Sequence, residues 1–180
     1  INSGQIDTLG FGLSATIGAA LGSRDAGENA WTVGIVGDGG LLANNELNAL
    51  ATNAACRDLP LVVFVLNDAA LSYVHQGFAA VMERPIEESR FARSIDIAAM
   101  AEAFNLRTEV ITEPGQLDKH FLKRVFSEQS PVIVDCRLAN DIVGPGYERY
   151  NRVRSLIGKR HLSEQEMGRL LVENDEVSSQ

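Results

Sequence analysis

The sequence predicts an α/β fold with a mostly parallel sheet, followed by a short helical tail. Three observations lead there. Apolar runs with strand character stand at residues 31–36 (WTVGIV) and 61–66 (LVVFVL), with further strand-like stretches at 106–111 and 132–136. Stretches with helical spacing of apolar residues lie between them. Strands and helices that alternate in this way make a sheet of parallel neighbours joined by helical crossovers.

Taken in order, residues 1–10 are polar and punctuated by glycine, and a loop is expected there. Residues 11–21 are rich in small side chains (Gly12, Ser14, Ala15, Gly18, Ala19, Ala20) and read as a helix that another backbone can approach closely. Residues 23–29 read as a loop. The strand at 31–36 stops at Gly37-Asp38-Gly39-Gly40, a helix is expected over 41–56, and the strand at 61–66 ends in Asn67-Asp68. A short helix is expected at 71–78, and the charged, proline-containing stretch 82–93 reads as mobile or partner-dependent. Ile97, Met100, Ala101 and Phe104 give a helix over 96–104. Residues 106–111 read as a strand, and 114–128 as a helix with Pro114 near its start and Leu117, Phe121, Leu122 and Val125 on one face. Residues 132–136 are a short buried strand.

From residue 139 the character changes. A loop around Gly144-Pro145-Gly146 leads to two short polar helices, at 148–159 and 163–173, the second opened by a capping box of Ser163 and Glu166. Residues 177–180 are expected to be disordered. The expected organisation is one domain over residues 1–138 and an extension over 139–180 that packs against a partner or another copy.

Composition removes several classes of function. Hydrophobic content of 45% and a mean hydropathy of −0.03 fit a globular chain with a proper core. No apolar run reaches the length of a membrane span. With no signal peptide in view, the cytoplasm is the default setting. The start at Ile1, without Met, suggests a processed chain, a fragment or trimmed numbering. The net charge of −8 disfavours nucleic acid, whose binding needs cationic neutralisation. Two distant cysteines, Cys56 and Cys136, make neither a disulfide framework nor an iron–sulfur set, and both read as buried.

The chemistry concentrates at residues 37–68. In a parallel βαβ unit both strand tips lie at the carboxyl edge of the sheet, where ligands bind. Here the tips carry Asp38, in a glycine-rich turn before a helix, and Asn67-Asp68. Oxygen ligands from adjacent strand ends suit Mg²⁺, which shares its shell with phosphate oxygens. The chain has no lysine-bearing phosphate loop, so a metal and backbone amides would have to neutralise a diphosphate. A competing motif, Gly10-x-Gly12-x-x-Ala15, would need a strand directly before it to bind a nicotinamide cofactor, and residues 1–9 do not read as one.

Gly37-Asp38-Gly39 followed by Asn67-Asp68 resembles the thiamine diphosphate signature: GDG, an interval, then an asparagine pair. The flanks agree. Residues 8–22, 96–105, 108–111 and 131–135 are similar to the diphosphate-binding domain of acetolactate-synthase-like decarboxylases and carboligases, and the resemblance covers about residues 4–138. It implies a three-layer thiamine diphosphate-binding fold and the cofactors thiamine diphosphate and Mg²⁺. It also implies the metal ligands Asp38, Asp68 and the carbonyl of Ala70, with Asn67 as the alternative to Asp68. The sequence departs from the pattern in having Asp at position 68, and Asp38 and Asp68 stand 30 residues apart, slightly long for the family.

By the same resemblance, Gly37, Gly39 and Gly40 would approach the diphosphate, and Leu71 would contact the cofactor. Leu9 would wedge beneath it, and the carbonyl of Asp7 would accept from its amino group. Leu9 as an ordinary core leucine is the competing reading. No catalytic residue is expected in this chain, because the glutamate that activates the cofactor belongs to a separate pyrimidine-binding domain. The expected partners are that domain or subunit and a 2-oxo acid, in a hetero- or homo-oligomer. Two alternatives stand beside this reading: a non-catalytic assembly or regulatory subunit that keeps the fold, and the beta subunit of a 2-oxo acid oxidoreductase. His75, Gln76 and Tyr73 could face a substrate, although a lone histidine is more often structural. Glu46 reads as structural, His120 and His161 as solvated, and Arg84, Arg90 and Arg93 as a charged loop.

Overall fold

A computed structural model describes residues 8–28, 30–44, 46–84, 86–139, 142–144 and 147–172. The chain divides into two compact units, Ile1–Asn67 with Ser94–Leu138, and Asp68–Arg93 with Ala139–Gln180.

The first unit is built on four parallel strands: β1 (Thr32–Gly37), β2 (Leu61–Asn67), β3 (Arg107–Ile111) and β4 (Val132–Arg137). Their order across the sheet is β1-β2-β4-β3. Alternation along the strands divides the apolar residues between the two faces. Leu61, Val63, Val65 and Ile133 pack with Leu13, Ile17 and Ala20 of α1 (Phe11–Asp25) and Ile97 and Ala101 of α5 (Ile97–Glu102). Val62, Val132 and Val134 pack on the other face with Phe121 and Val125 of α6 (Lys119–Val125). Helices therefore cover both faces, and the expected three-layer α/β architecture is present.

Helix α1 lies close to β1. An added Cβ on Gly34 would come within 2.5 Å of Thr16 Oγ1, which itself donates to the Gly12 carbonyl at 2.7 Å. Small residues at this contact thus set the helix-to-strand distance, which is the close approach the sequence suggested.

Several boundaries differ from expectation. The loop expected at 23–29 begins later, because α1 continues to Asp25 and ends before Gly27, whose φ is +77°. The single helix expected over 41–56 is two helices, α2 (Asp38–Leu42) and α3 (Leu47–Thr52), and a 3-10 turn, Ala54–Cys56. Asparagines divide it: Asn44 is a weak helix former, and Asn53 accepts from the Ala55 amide to start the 3-10 turn. The helix expected over 114–128 is a 3-10 turn, Pro114–Gln116, followed by α6. Asp118 forces the break by capping α6 through the His120 and Phe121 amides. Of the expected apolar face only Phe121 and Val125 are buried; Leu117 and Leu122 are exposed.

The second unit centres on α4 (Ser72–Met82), longer than the helix expected at 71–78. The stretch at 82–93 is tied by backbone hydrogen bonds at Ser89, Arg90 and Phe91. Its described residues fold back on the chain entering α4: Leu71 N–H donates to Ser89 O and Phe91 N–H to Ala69 O, with an Ala70–Arg90 antiparallel bridge. Unpaired backbone groups are costly, and this pairing satisfies them.

The described part of the tail packs within its own chain. Helices α7 (Tyr147–Leu156) and α8 (Glu164–Val172) pack on α4 of the same chain, where Ala79, Ala80, Leu162, Met167 and Leu171 form a small core. Arg154 is the fastener. Its side chain is buried, donates to the Ala80 carbonyl, and pairs with Glu83 at 3.1 Å. It satisfies the C-terminal end of α4, where carbonyls lack helical partners. The capping box opens α8 as expected, with Ser163 N–H donating to Glu166 at 2.8 Å and Glu166 N–H to Ser163 Oγ at 3.2 Å.

Glu166 gives this unit an acid-sensitive contact. The Arg160 guanidinium, followed by the Ser163 amide and hydroxyl, holds its carboxyl at about 2 against an ordinary 4.5. A carboxylate depressed by folding stabilises fully above its unfolded value and loses that contribution as pH falls through the folded one. Wild type should therefore lose stability between about pH 5 and pH 2 by an amount that Glu166→Gln removes. The pair is exposed, so the effect is small. Thermal melts of both proteins across that range check it, and identical pH slopes would contradict it.

Candidate functional site

The site begins with strand register. Gly37 of β1 is paired with Leu66 of β2, so the residues that follow, Asp38 and Asn67, stand at adjacent ends on the carboxyl edge. Both are buried, at 1% and 3% exposure. Asp38 opens α2 and accepts from the Gly39 amide at 2.7 Å. A short helix thus begins where β1 ends, with Gly39 and Gly40 in its first turn.

Asn67 ends β2. Its Nδ2 donates to the Ile95 carbonyl and to Asp135 Oδ1, each at 2.9 Å. Its Oδ1 is buried and has no hydrogen-bond partner. Asp135 is fully buried on β4 and accepts from Arg137 Nε at 3.1 Å. The sequence reading passed over Asp135. A signal was available: a lone carboxylate inside the apolar run VIVDC.

The chain passes into the second unit at Asp68. There Asp68 accepts from the Ser72 hydroxyl. Ala69 takes a left-handed φ of +58°, which L side chains adopt at a cost, and Ala70 is buried at 4% exposure. Leu71 caps α4 and is half-buried. A non-glycine residue held in this conformation between two expected cofactor contacts is the kind of local strain that functional sites carry.

Of the other expected residues, Asp7 lies outside the described ones. Leu9 is 60% exposed in the turn before α1, so it belongs to neither core. His75 is buried at 2% exposure in the second unit, with Nδ1 2.7 Å from Ser89 Oγ. The Ser89 hydroxyl donates to the Ile86 carbonyl, so the histidine Nδ1–H is the donor between them. Gln76 is likewise engaged, donating to the Ile142 carbonyl at 2.8 Å and accepting from the Gly144 amide at 3.1 Å. Tyr73 is exposed. Glu46 accepts from Ser14 at 2.8 Å and ties α1 to the start of α3. Both cysteines are buried, and burial pushes the Cys136 thiol up to about 11, so it packs as an apolar side chain.

Among the described residues no group of three or more His, Cys, Asp or Glu side chains gathers as a metal cage. No described helix is long and apolar enough to cross a membrane. A cleft of about 290 Å³ lies at the opposite, amino-terminal edge of the sheet, lined by Asn53, Arg57, Phe104, Arg107 and Pro131 among others.

Residues 1–136 match the family model described as "Thiamine pyrophosphate enzyme, C-terminal TPP binding domain". The chain belongs to that family. Thiamine pyrophosphate is thiamine diphosphate under its other name. The chain is 27% identical over 138 residues to the acetolactate synthase isozyme 1 large subunit of Escherichia coli, covering 77% of this chain and 23% of that protein. It is 41% identical over 73 residues to the 1-deoxy-D-xylulose-5-phosphate synthase of Cupriavidus pinatubonensis, covering 38% of this chain and 11% of that one. Among solved structures, the benzoylformate decarboxylase of Polynucleobacter necessarius superposes with a TM-score of 0.61 at 21% identity, over 75% of this chain and 24% of that one, which shows the shared fold. The chain thus spans about a quarter, or less, of the length of these proteins. As a thiamine diphosphate-binding domain, it has the fold the sequence predicted.

The turn that leads into α1 is tightly set. Gly10 has a φ of +90°, and an added Cβ would meet the side-chain nitrogen Nδ2 of the exposed Asn44 at 2.1 Å. Gly10→Ala should cost about 1–2 kcal/mol, mainly from left-handed strain, with the Asn44 side chain displaced. Denaturant unfolding measures it, and an unchanged midpoint would show that the turn is not held by this contact.

Proposed function

We propose that this chain is the Mg²⁺–thiamine diphosphate-binding part of a 2-oxo acid decarboxylase or carboligase, completed by a pyrimidine-binding domain. The observation that carries the reading is the pair of buried polar strand ends, Asp38 and Asn67, on adjacent parallel strands within the family match. The unfilled Asn67 Oδ1 is a buried acceptor of the kind a bound donor or cation would satisfy. The residues present fit the cofactor on that ground.

In this reading the Asp38 and Asp68 carboxylates and the Ala70 carbonyl hold Mg²⁺, with Asn67 as the alternative to Asp68. Hard oxygen ligands are what Mg²⁺ takes beside diphosphate oxygens. Gly39 and Gly40 would contact the diphosphate through their amides, that of Gly39 being shared with Asp38, with Gly37 and Leu71 completing the contacts. Leu9 supports the cofactor rings, its exposed side chain available to them, and the Asp7 carbonyl accepts from the amino group. When bound, thiamine diphosphate supplies the carbon that adds to a substrate carbonyl and the ring that takes up the electron pair left by decarboxylation. The chain's own residues bind and orient that group. The glutamate that activates it comes from the partner domain, so the isolated chain turns nothing over.

Residues 1–138 are the binding domain in this proposal, and 139–180 an extension to it. The apolar side chains exposed on the first unit, among them Leu9, Val33 and Ile35, support a covering partner, in a hetero- or homo-oligomer. A cytoplasmic setting completes the proposal.

Calorimetric titration of thiamine diphosphate with Mg²⁺ into the assembled protein tests it. Wild type should bind, and both removal of Mg²⁺ and Asp38→Ala should abolish the heat. Binding that is unchanged in Asp38→Ala would overturn the reading.

A further inference from the structure

The orientation of the Asn67 amide is dictated by its neighbours. Its Nδ2 meets the Ile95 carbonyl and Asp135 Oδ1, both at 2.9 Å. Both are pure acceptors, so neither tolerates the amide oxygen in that place. Asn67 Oδ1 is therefore turned elsewhere, where it is buried and without a partner, on a side chain only 3% exposed. Asp135 is itself anchored. Arg137 Nε donates to its second oxygen at 3.1 Å, the Arg137 guanidinium pairs with Asp96 at 3.0 Å, and Asp96 caps α5 through the Ala99 amide at 2.9 Å. All of these groups belong to the first unit.

Stability alone does not explain a fully buried carboxylate in the middle of β4. Replacing a buried ion pair by well-packed apolar residues is often neutral or stabilising. What Asp135 does provide is a fixed acceptor that dictates which way Asn67 faces. We infer that Asp135 is a positioning residue of the cofactor site. With the Ile95 carbonyl it takes both amide protons of Asn67, and so presents Asn67 Oδ1 as a ready acceptor at the carboxyl end of β2, on the strand beside Asp38. The partner of that oxygen is a donor or cation of the Mg²⁺–diphosphate. This inference rests on the proposed function.

The test compares thiamine diphosphate affinity, with Mg²⁺ present, in the assembled wild type, Asp38→Ala, Asp135→Asn and Asp135→Leu. Asp135→Asn keeps an oxygen that can accept from Asn67, while the partly exposed Arg137 retains Asp96, so its affinity should stay close to wild type. Asp135→Leu should bind about 10- to 100-fold more weakly, as removal of groups that orient metal ligands does. A merely structural Asp135 would instead move the melting temperature and leave affinity unchanged in the folded variants. A second measurement needs no variant: the side-chain carbonyl carbon of Asn67, observed by NMR in isotope-labelled wild type, should shift when Mg²⁺ and thiamine diphosphate are added. Wild-type affinity in folded Asp135→Leu, or an unmoved Asn67 carbonyl signal on binding, overturns the inference and leaves the proposed function standing if Asp38→Ala has lost binding. Wild type that binds no cofactor removes both.

Discussion

The parallel pairing of β1 with β2 is the constraint on which the site depends. Register Gly37↔Leu66 leaves two polar residues, Asp38 and Asn67, at neighbouring positions where both strands stop. A one-residue slip would turn each strand's side chains to the opposite face, and the two apolar cores on the sheet fix the register against it. Leu61, Val63 and Val65 face one layer of helices while Val62 faces the other. The chemistry of the edge is thus set by packing below it.

The edge carries buried polarity that apolar packing would not tolerate. A buried polar atom without a hydrogen bond costs about 1–3 kcal/mol, and Asn67 Oδ1 is such an atom. Asp135 is a charge removed from water, compensated by Arg137 and by Asn67. A core selected only for stability would replace both. In the proposed function a bound group offsets this cost: the sheet would hold its acceptors ready for a ligand to satisfy. The left-handed backbone at Ala69, between Asp68 and Ala70, is a second local cost in the same stretch of chain.

Much of this was legible in the sequence, for physical reasons that also show where legibility ended. Strands β2 and β4 are continuous apolar runs because both faces of the sheet are covered there, β1 is apolar although one of its faces leaves Val33 and Ile35 exposed, and all three stood within a residue of their places. Asp38, Asn67 and Asp68 were conspicuous because polar residues with ligand chemistry end two apolar runs. The interruptions of the helices were less visible. Asn53 and Asp118 each bond to nearby backbone amides and restart the helix, and a local side-chain bond of that kind has no periodicity to read. The tail was read as a surface for another molecule. Its polar composition hid Arg154, a charged residue that serves the interior by satisfying the end of α4. Asp135 was missed because a strand's pattern is read from its apolar majority, and only three-dimensional pairing shows that its carboxylate faces Asn67.

The most direct test of the account is where the metal goes. Crystals of the assembled protein grown with thiamine diphosphate and Mn²⁺ in place of Mg²⁺ would show the ion by its anomalous scattering. The account predicts a peak about 2.1 Å from the Asp38 carboxylate, at the carboxyl edge of β1 and β2. A cofactor bound with its metal away from Asp38, or a peak confined to the opposite edge near Asn53 and Arg107, would contradict it.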